Sequence, residues 1–279
     1  MIQSMTAPLR RVLVRPPGTD FSRWHEYGWL AEPDAKRIAE EHEGFRVALE
    51  ESEAEVVIAA KATDENPDAV YVFDPAFVAD AGAILLRPGK EARRGEVQAM
   101  RADFEAAGVP IAAELTEPAL AEGGDAFWLD QRTLVVGLGY RTNGAGAAQL
   151  GAALPGVEVV TVDLPHHHGR DHCMHMLTLI SPLDTNLALV YLPLLPVRLV
   201  QLLEARGIEL VEVPDEEFKT MACNVLALRP RTALALEGNP ETRRRMEAAG
   251  VDVRVYAGDE LSRKGEGGPT CLTLPLERG

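Results

Sequence analysis

Five residues of chemically useful types recur along this sequence: Asp74 in "VYVFDP", Glu122 in "AEGGDAFWLD", His175 in "CMHMLT", Asn224 in "MACNVLAL" and Cys271 in "GPTCLTL". A cysteine attacks carbon as its thiolate, which a nearby histidine or cation favours. A histidine titrates near neutral pH and can pass a proton in either direction. A carboxylate can orient that imidazole or hold a cation. Brought together, these side chains would supply the nucleophile, the general acid and base, and the orienting acid of covalent catalysis. Glycines beside Glu122 and Cys271 would let the backbone approach a ligand closely. Taken singly, each residue has an ordinary structural explanation, and only the joint pattern argues for chemistry.

The other two cysteines, Cys173 and Cys223, read as small buried hydrophobes. Cys271 differs because "GEGGP" precedes it. The tract "HHHGRDHCMH", from His166 to His175, has the composition of a metal site. Its spacing matches no well-formed zinc pattern, and no second Cys/His pair follows. It reads as an exposed polar loop, and no metal is expected.

The five residues must be placed by a repeating framework. An amphipathic helix, a small turn and an apolar strand recur in "RVALEESEAEVVIAA", "MRADFEAAGVPIAAE", "AAQLGAALPGVEVVTVD", "LVQLLEARGIELVEV" and "RRRMEAAGVDVRVYA". Four of the turns carry glycine: Gly108, Gly156, Gly207 and Gly250. Helices commonly end on a residue with positive φ, which glycine adopts without cost. Further strands are expected at "AVYVFD", "GAILLR", "TLVVGL", "NLALVYL", "NVLALRP" and "TALALE". The unit is helix–strand–strand–strand, and such units cannot bury their faces alone. Closed five-fold packing is therefore preferred to an open α/β sheet. The five chemical residues share one phase of this repeat, so closure would gather them at one end of the axis.

The bulk properties bound the function. The chain has 279 residues, is 46% hydrophobic and carries a formal net charge of −15. That is an α/β protein large enough to bury a core without disulfides, and residues 1–279 read as one domain. The acidic balance argues against nucleic acid or an anionic membrane as partner. It suits a small cationic substrate. Three widely spaced cysteines argue against a disulfide framework and for a reducing, cytoplasmic setting. No secretory leader or membrane-length apolar run is read. The composition leaves room for a homo-oligomer.

The stretches "DAVYVFDPAFVADAGAILLRPGKEARRGE", "AEGGDAFWLDQRTLVVGLGYRTN", "HMLTLISPLDTNLALVY" and "GGPTCLTL" together resemble the guanidine-modifying enzyme superfamily. That superfamily includes dimethylarginine dimethylaminohydrolases, arginine deiminases and amidinotransferases. The resemblance covers nearly the whole chain, in family order, and the dimethylarginine hydrolase branch is nearest in length and in "RPGKEARRGE" and "GYRTN". It implies a five-bladed α/β propeller, with Cys271 as nucleophile, His175 as general acid and base, and Glu122 as third member. Asp74 would receive the guanidinium, Asp68 a substrate amino group, and Arg93 and Arg141 a carboxylate.

The implied reaction is hydrolysis of a guanidino C–N bond through a thiouronium on Cys271, without cofactor. Transfer of the amidino group to an amine is the alternative, and a non-catalytic binding protein on the same scaffold is a second. Two positions depart from the relatives' patterns. Phe73 stands where dimethylarginine hydrolases carry an acid, and Leu177 where arginine deiminases carry an aspartate. Dimethylarginine and free arginine are therefore expected to be poor substrates.

Overall fold

The computed structural model describes residues 2–60, 65–169 and 174–279. The chain opens with β1 (Leu9–Val14), crosses through α1 (Ala35–Glu50) and returns parallel to it as β2 (Glu55–Ile58). Four similar groups follow: β3 (Ala76–Ala79), β4 (Gly82–Leu85), α2 (Glu96–Ala106), β5 (Ile111–Glu114); β6 (Ala126–Asp130), β7 (Thr133–Leu138), α3 (Gly144–Ala153), β8 (Glu158–Asp163); β9 (Ile180–Asp184), β10 (Leu187–Val190), α4 (Val197–Ala205), β11 (Glu209–Glu212); and, after the short α5 (Asp215–Phe218), β12 (Leu226–Arg229), β13 (Thr232–Leu236), α6 (Pro240–Ala248), β14 (Asp252–Tyr256). The last strand, β15 (Leu274–Arg278), pairs antiparallel with β1, with Leu13 opposite Leu274.

Each of the five sheets thus has three strands. The middle strand pairs antiparallel with the first and parallel with the third. A tight hairpin suffices for the antiparallel step, and the parallel step requires the helix as a crossover. This is the five-bladed α/β propeller expected from the repeat. The sheets are offset from the sequence unit, however. A helix and its following strand close one sheet, and the next two strands open the neighbouring one.

Local sequence explains the elements. In α1, Ile38, His42, Phe45 and Leu49 are buried at helical spacing, and the Asp34 side chain caps the amides of Lys36 and Arg37. The middle strands β4, β10 and β13 are buried throughout, so they read as continuous apolar runs. The turn glycines Gly108, Gly156, Gly207 and Gly250 all have positive φ, as expected. In the first group Glu53 takes that conformation, at φ 69°.

One expected strand is absent. "AVYVFD" is not a strand: Pro67–Val70 forms a 3-10 turn with Pro67 in its first turn, and the Asn66 side chain accepts from the Asp68 amide. The strand begins only at Ala76.

The first strand of each sheet lies toward the axis, where β9 packs beside β12 and β15 beside β3. One core cluster joins Ala76, Phe127, Ile180 and Leu274 from four of these inner strands. Asp74, Glu122, His175, Asn224 and Cys271 each lie just ahead of an inner strand. The closing pair of β15 with β1 is what orders Cys271 so near the end of the chain.

Candidate active site

The five segments that lead into the inner strands are stitched in a circle. The Phe73 amide donates to the Cys271 carbonyl, and the Gly123 amide to the Asp74 carbonyl. The Met176 amide donates to Asp125 Oδ1 at 3.1 Å. Ser181 Oγ donates to the Cys223 carbonyl and accepts from the Val225 amide. The Thr270 amide donates to Asn224 Oδ1, which returns the chain of bonds to the Cys271 segment. Each bond spans two neighbouring sheets, so no side chain of the site is held by local sequence alone.

Within this ring, Asp74, His175, Asn224 and Cys271 line one cavity of about 260 Å³, together with Asp68, Lys90, Arg93 and Arg141. Glu122 is fully buried behind His175. Its Oε2 lies 2.7 Å from His175 Nε2. An ionised carboxylate only accepts, so Nε2 carries the proton and Nδ1 is the other tautomeric position. His175 Nδ1 lies 3.8 Å from Asp74 Oδ1. Glu122 also accepts from the Lys90 amide at 2.9 Å and from Arg141 Nη1 at 3.2 Å to each oxygen. Burial would lift its pKa, but the His175 hydrogen bond and the neighbouring positive charges override burial and hold Glu122 below the usual carboxylate range.

Cys271 is partly exposed, and its Sγ accepts from Asn224 Nδ2 at 3.3 Å. Its thiol is pushed up to about 11, first by desolvation and then by the Asp74 carboxylate; His175, the Gly268 amide and Asn224 act the other way. The free site therefore holds a thiol, not a thiolate, at neutral pH. Cys223 is buried, and desolvation raises its thiol far above the ordinary range. That matches its reading as an inert core residue. Cys173 lies outside the described residues.

Gly124 and Gly268 make room for the site's own side chains. A Cβ on Gly124 would stand 2.5 Å from His175 Nδ1 and 3.0 Å from Asp74 Oδ1. One on Gly268 would stand 2.5 Å from the Asn224 amide group. Only glycine lets these backbones pass so near the histidine and the cysteine's partner.

Asp74 accepts from the Gly124 amide at 3.0 Å on one oxygen and from Arg93 Nη1 at 2.5 Å on the other. Arg93 is 3% exposed, and its other named bonds run to Glu96 and to the carbonyls of Asp68 and Tyr71. Arg141, expected beside a substrate carboxylate, reaches Glu122. Asp68 accepts from Trp29 Nε1 at 2.8 Å and from Lys90 Nζ at 2.5 Å. Phe73 and Leu177 are both buried in the same core cluster. Phe73 packs in the core while its neighbour Asp74 lines the cavity.

Residue typing alone missed three contributors. The Lys90 ammonium reaches Asp68, and its backbone amide reaches Glu122. Asn224 was placed in the ring but not as the donor to Cys271. Asp125 is buried behind the histidine, where desolvation raises its carboxyl to about 6. The "EGGD" spacing, with an acid three residues after Glu122, was the available signal for Asp125.

Among the described residues, Asp74, Glu122 and His175 are the one group whose donor atoms, all within 4.8 Å of one another, could hold a metal ion. Arg93 and Arg141 already place positive charge on its two carboxylates. His166 pairs with the Tyr140 hydroxyl at 2.8 Å, while His172 lies outside the described residues. No helix among the described residues is long and apolar enough to cross a membrane.

Known proteins share this fold. A family model described as "N,N dimethylarginine dimethylhydrolase, eukaryotic" matches residues 31–278. The N(G),N(G)-dimethylarginine dimethylaminohydrolase of Pseudomonas aeruginosa is 27% identical over 268 residues, covering 95% of this chain and 98% of the relative. A crystal structure of a dimethylarginine dimethylaminohydrolase, as its adduct with 4-chloro-2-hydroxymethylpyridine, superposes with a TM-score of 0.80 at 25% identity, covering 96% of this chain and 100% of the other. The N-terminal domain of ArgZ, a cyanobacterial arginine dihydrolase, shares the fold with a TM-score of 0.83 at 24% identity, covering 96% and 97%.

Proposed function

We propose, for a chain that belongs to the N,N dimethylarginine dimethylhydrolase family, hydrolysis of a guanidino C–N bond with Cys271 as nucleophile, His175 as general acid and base, and Glu122 as the orienting acid. The observation that carries this reading is the buried Glu122–His175 pair, 2.7 Å apart, behind a cavity that Asp74 and Cys271 share.

The planar guanidinium is held by Asp74. Its positive charge offsets the carboxylate that raises the Cys271 thiol, so substrate binding itself favours the thiolate. The Cys271 thiol gives its proton to His175 Nδ1 as Sγ bonds to the guanidinium carbon, and His175 passes that proton to the leaving nitrogen as the C–N bond breaks. The product of this step is a thiouronium on Cys271. His175 next takes a proton from water, whose oxygen bonds to the same carbon. The S–C bond breaks, leaving a ureido product and the regenerated thiol. Asp74 and Glu122 hold the positive charge throughout, in a water-poor site where such groups act most strongly.

Arg93 holds Asp74 Oδ2 in place, which in this reading replaces its expected contact with a substrate carboxylate. Its donors already serve Asp74, Glu96 and two carbonyls. Arg141 lines the cavity and remains the carboxylate partner. The chemistry requires no metal or organic cofactor. A reducing cytoplasm suits an enzyme that depends on a free thiol, and residues 1–279 act as one domain.

Incubating the protein with a panel of guanidino compounds tests the reading, scored by ureido product and released amine with Cys271→Ser as control. Ureido product from the native protein and none from the variant is expected. Product that appears only with an acceptor amine, carrying the transferred amidino group, would assign transfer instead.

A further inference from the structure

We propose that Lys90 makes this a hydrolase of monocationic guanidino acids, compounds with a guanidinium at one end, a carboxylate or acyl carbonyl at the other, and no ammonium. The proposal rests on the reading of the cavity as a guanidino-hydrolysing site.

Three carboxylates among the described residues line that cavity: Asp68, Asp74 and Glu266. Asp74 is the proposed guanidinium partner: Arg93 holds its Oδ2, while its Oδ1, 3.8 Å from His175 Nδ1, faces the reacting groups. Asp68 is 5% exposed and already faces two cations: its Oδ2 accepts from the Lys90 ammonium at 2.5 Å and lies 3.8 Å from Arg93 Nε, while its Oδ1 accepts from the Trp29 indole N–H. The Lys90 ammonium is fixed in turn by the Tyr27 carbonyl at 2.5 Å and lies 5.2 Å from the centre of the Tyr27 ring. Lys90 thus occupies the position at Asp68 that a second cationic group of the substrate would need. Glu266 is exposed, where water screens it.

A second ammonium would have to displace Lys90 or lie beside it, and like charges a few ångströms apart in a partly buried site repel strongly. The third N–H of Lys90 remains for an acceptor, because an ammonium has three donors and two are assigned. Arg141 lines the same cavity, so together with Lys90 it favours oxygen acceptors over a second cation. Masking or deleting the α-ammonium of arginine gives such a substrate.

The test compares kcat/KM for free arginine, dimethylarginine, Nα-acetylarginine and 5-guanidinopentanoate on the native protein. A preference of at least about tenfold for one of the last two over both free amino acids is expected, from the repulsion of one unit charge. Lys90→Ala retains the backbone amide that donates to Glu122. It should erase that preference, mainly by lowering KM for free arginine, while Lys90→Arg should keep it. Preference of the native protein for arginine or dimethylarginine overturns the proposal, as does an unchanged ratio in a folded Lys90→Ala. Should that variant not fold, the native ratio decides alone.

Labelling Cys271 with chloroacetamidine, read by peptide mass, separates the two levels. If the cysteine is labelled but neither monocationic acid is turned over, the substrate class is wrong and the site reading stands. If it is unlabelled and no guanidino compound reacts, both fail.

Discussion

Asn224 Nδ2 lies 3.3 Å from Cys271 Sγ, and the same Asn224 side chain accepts the Thr270 amide through Oδ1. One buried amide therefore fixes both the sulfur and the backbone beside it. The donor favours the thiolate, while desolvation and Asp74 oppose it. The sum is a raised thiol, so alkylation of the free protein by neutral iodoacetamide should accelerate about tenfold per pH unit from neutrality toward pH 10. Asp74→Asn removes a negative charge beside the sulfur and lowers its pKa. The variant should alkylate faster than the native protein at pH 8 while losing turnover of guanidino compounds by several kcal/mol of transition-state stabilisation, on the order of that lost with a buried charged partner. Slower alkylation of the variant would contradict the assigned electrostatics.

Glu122→Gln keeps the size of the residue and removes its charge. The amide can offer N–H toward His175 Nε2 and so favour the other tautomer. We expect kcat to fall by on the order of 10²–10⁴, as when a histidine loses its orienting acid, with KM changed much less. Steady-state kinetics with the best compound of the panel would check this.

Asp125 has a folded pKa of about 6 against a reference of 3.8, raised chiefly by desolvation. A raised folded pKa means that the native state binds this proton more tightly than the unfolded chain. The associated stability is present in full below about pH 4 and is lost as pH rises through 6. Asp125→Asn retains an acceptor for the Met176 amide and cannot ionise. Relative to the native protein it should gain about 2–3 kcal/mol between pH 4 and pH 7. Urea denaturation at both pH values would measure the difference. Equal effects at the two pH values would mean that the buried charge is not the cause.

Glu53 holds a positive φ where the other four helix-to-strand turns carry glycine. An L-residue in that conformation costs about 1 kcal/mol. Glu53→Gly should raise the unfolding free energy by up to that amount and leave kinetics unchanged, because the residue lies in the turn between α1 and β2 and does not line the cavity. A drop in stability would show that the entropy of the unfolded glycine outweighs the relief of strain.

The repeat was legible in the linear chain because its signals are local. Helical spacing in α1, buried middle strands such as "GAILLR" and glycine after four helices are each visible within about fifteen residues. From them follow the five sheets and the common phase of Asp74, Glu122, His175, Asn224 and Cys271. "AVYVFD" misled because an apolar run resembles a strand whether or not a proline and an asparagine cap bend it into a turn.

What each charged group is paired with was decided by closure of the ring. The Lys90 ammonium meets Asp68 across 22 residues, and Arg141 meets Glu122 across 19. Phe73 packs in the core while its neighbour Asp74 lines the cavity, a division that the turn holding them makes. Asp125 is desolvated only when the segment holding His175 packs over it. Residue type sets which bonds a side chain can make. The choice among them depends on direction and burial, which exist only after β15 has paired with β1 and sheets distant in sequence have become neighbours in space.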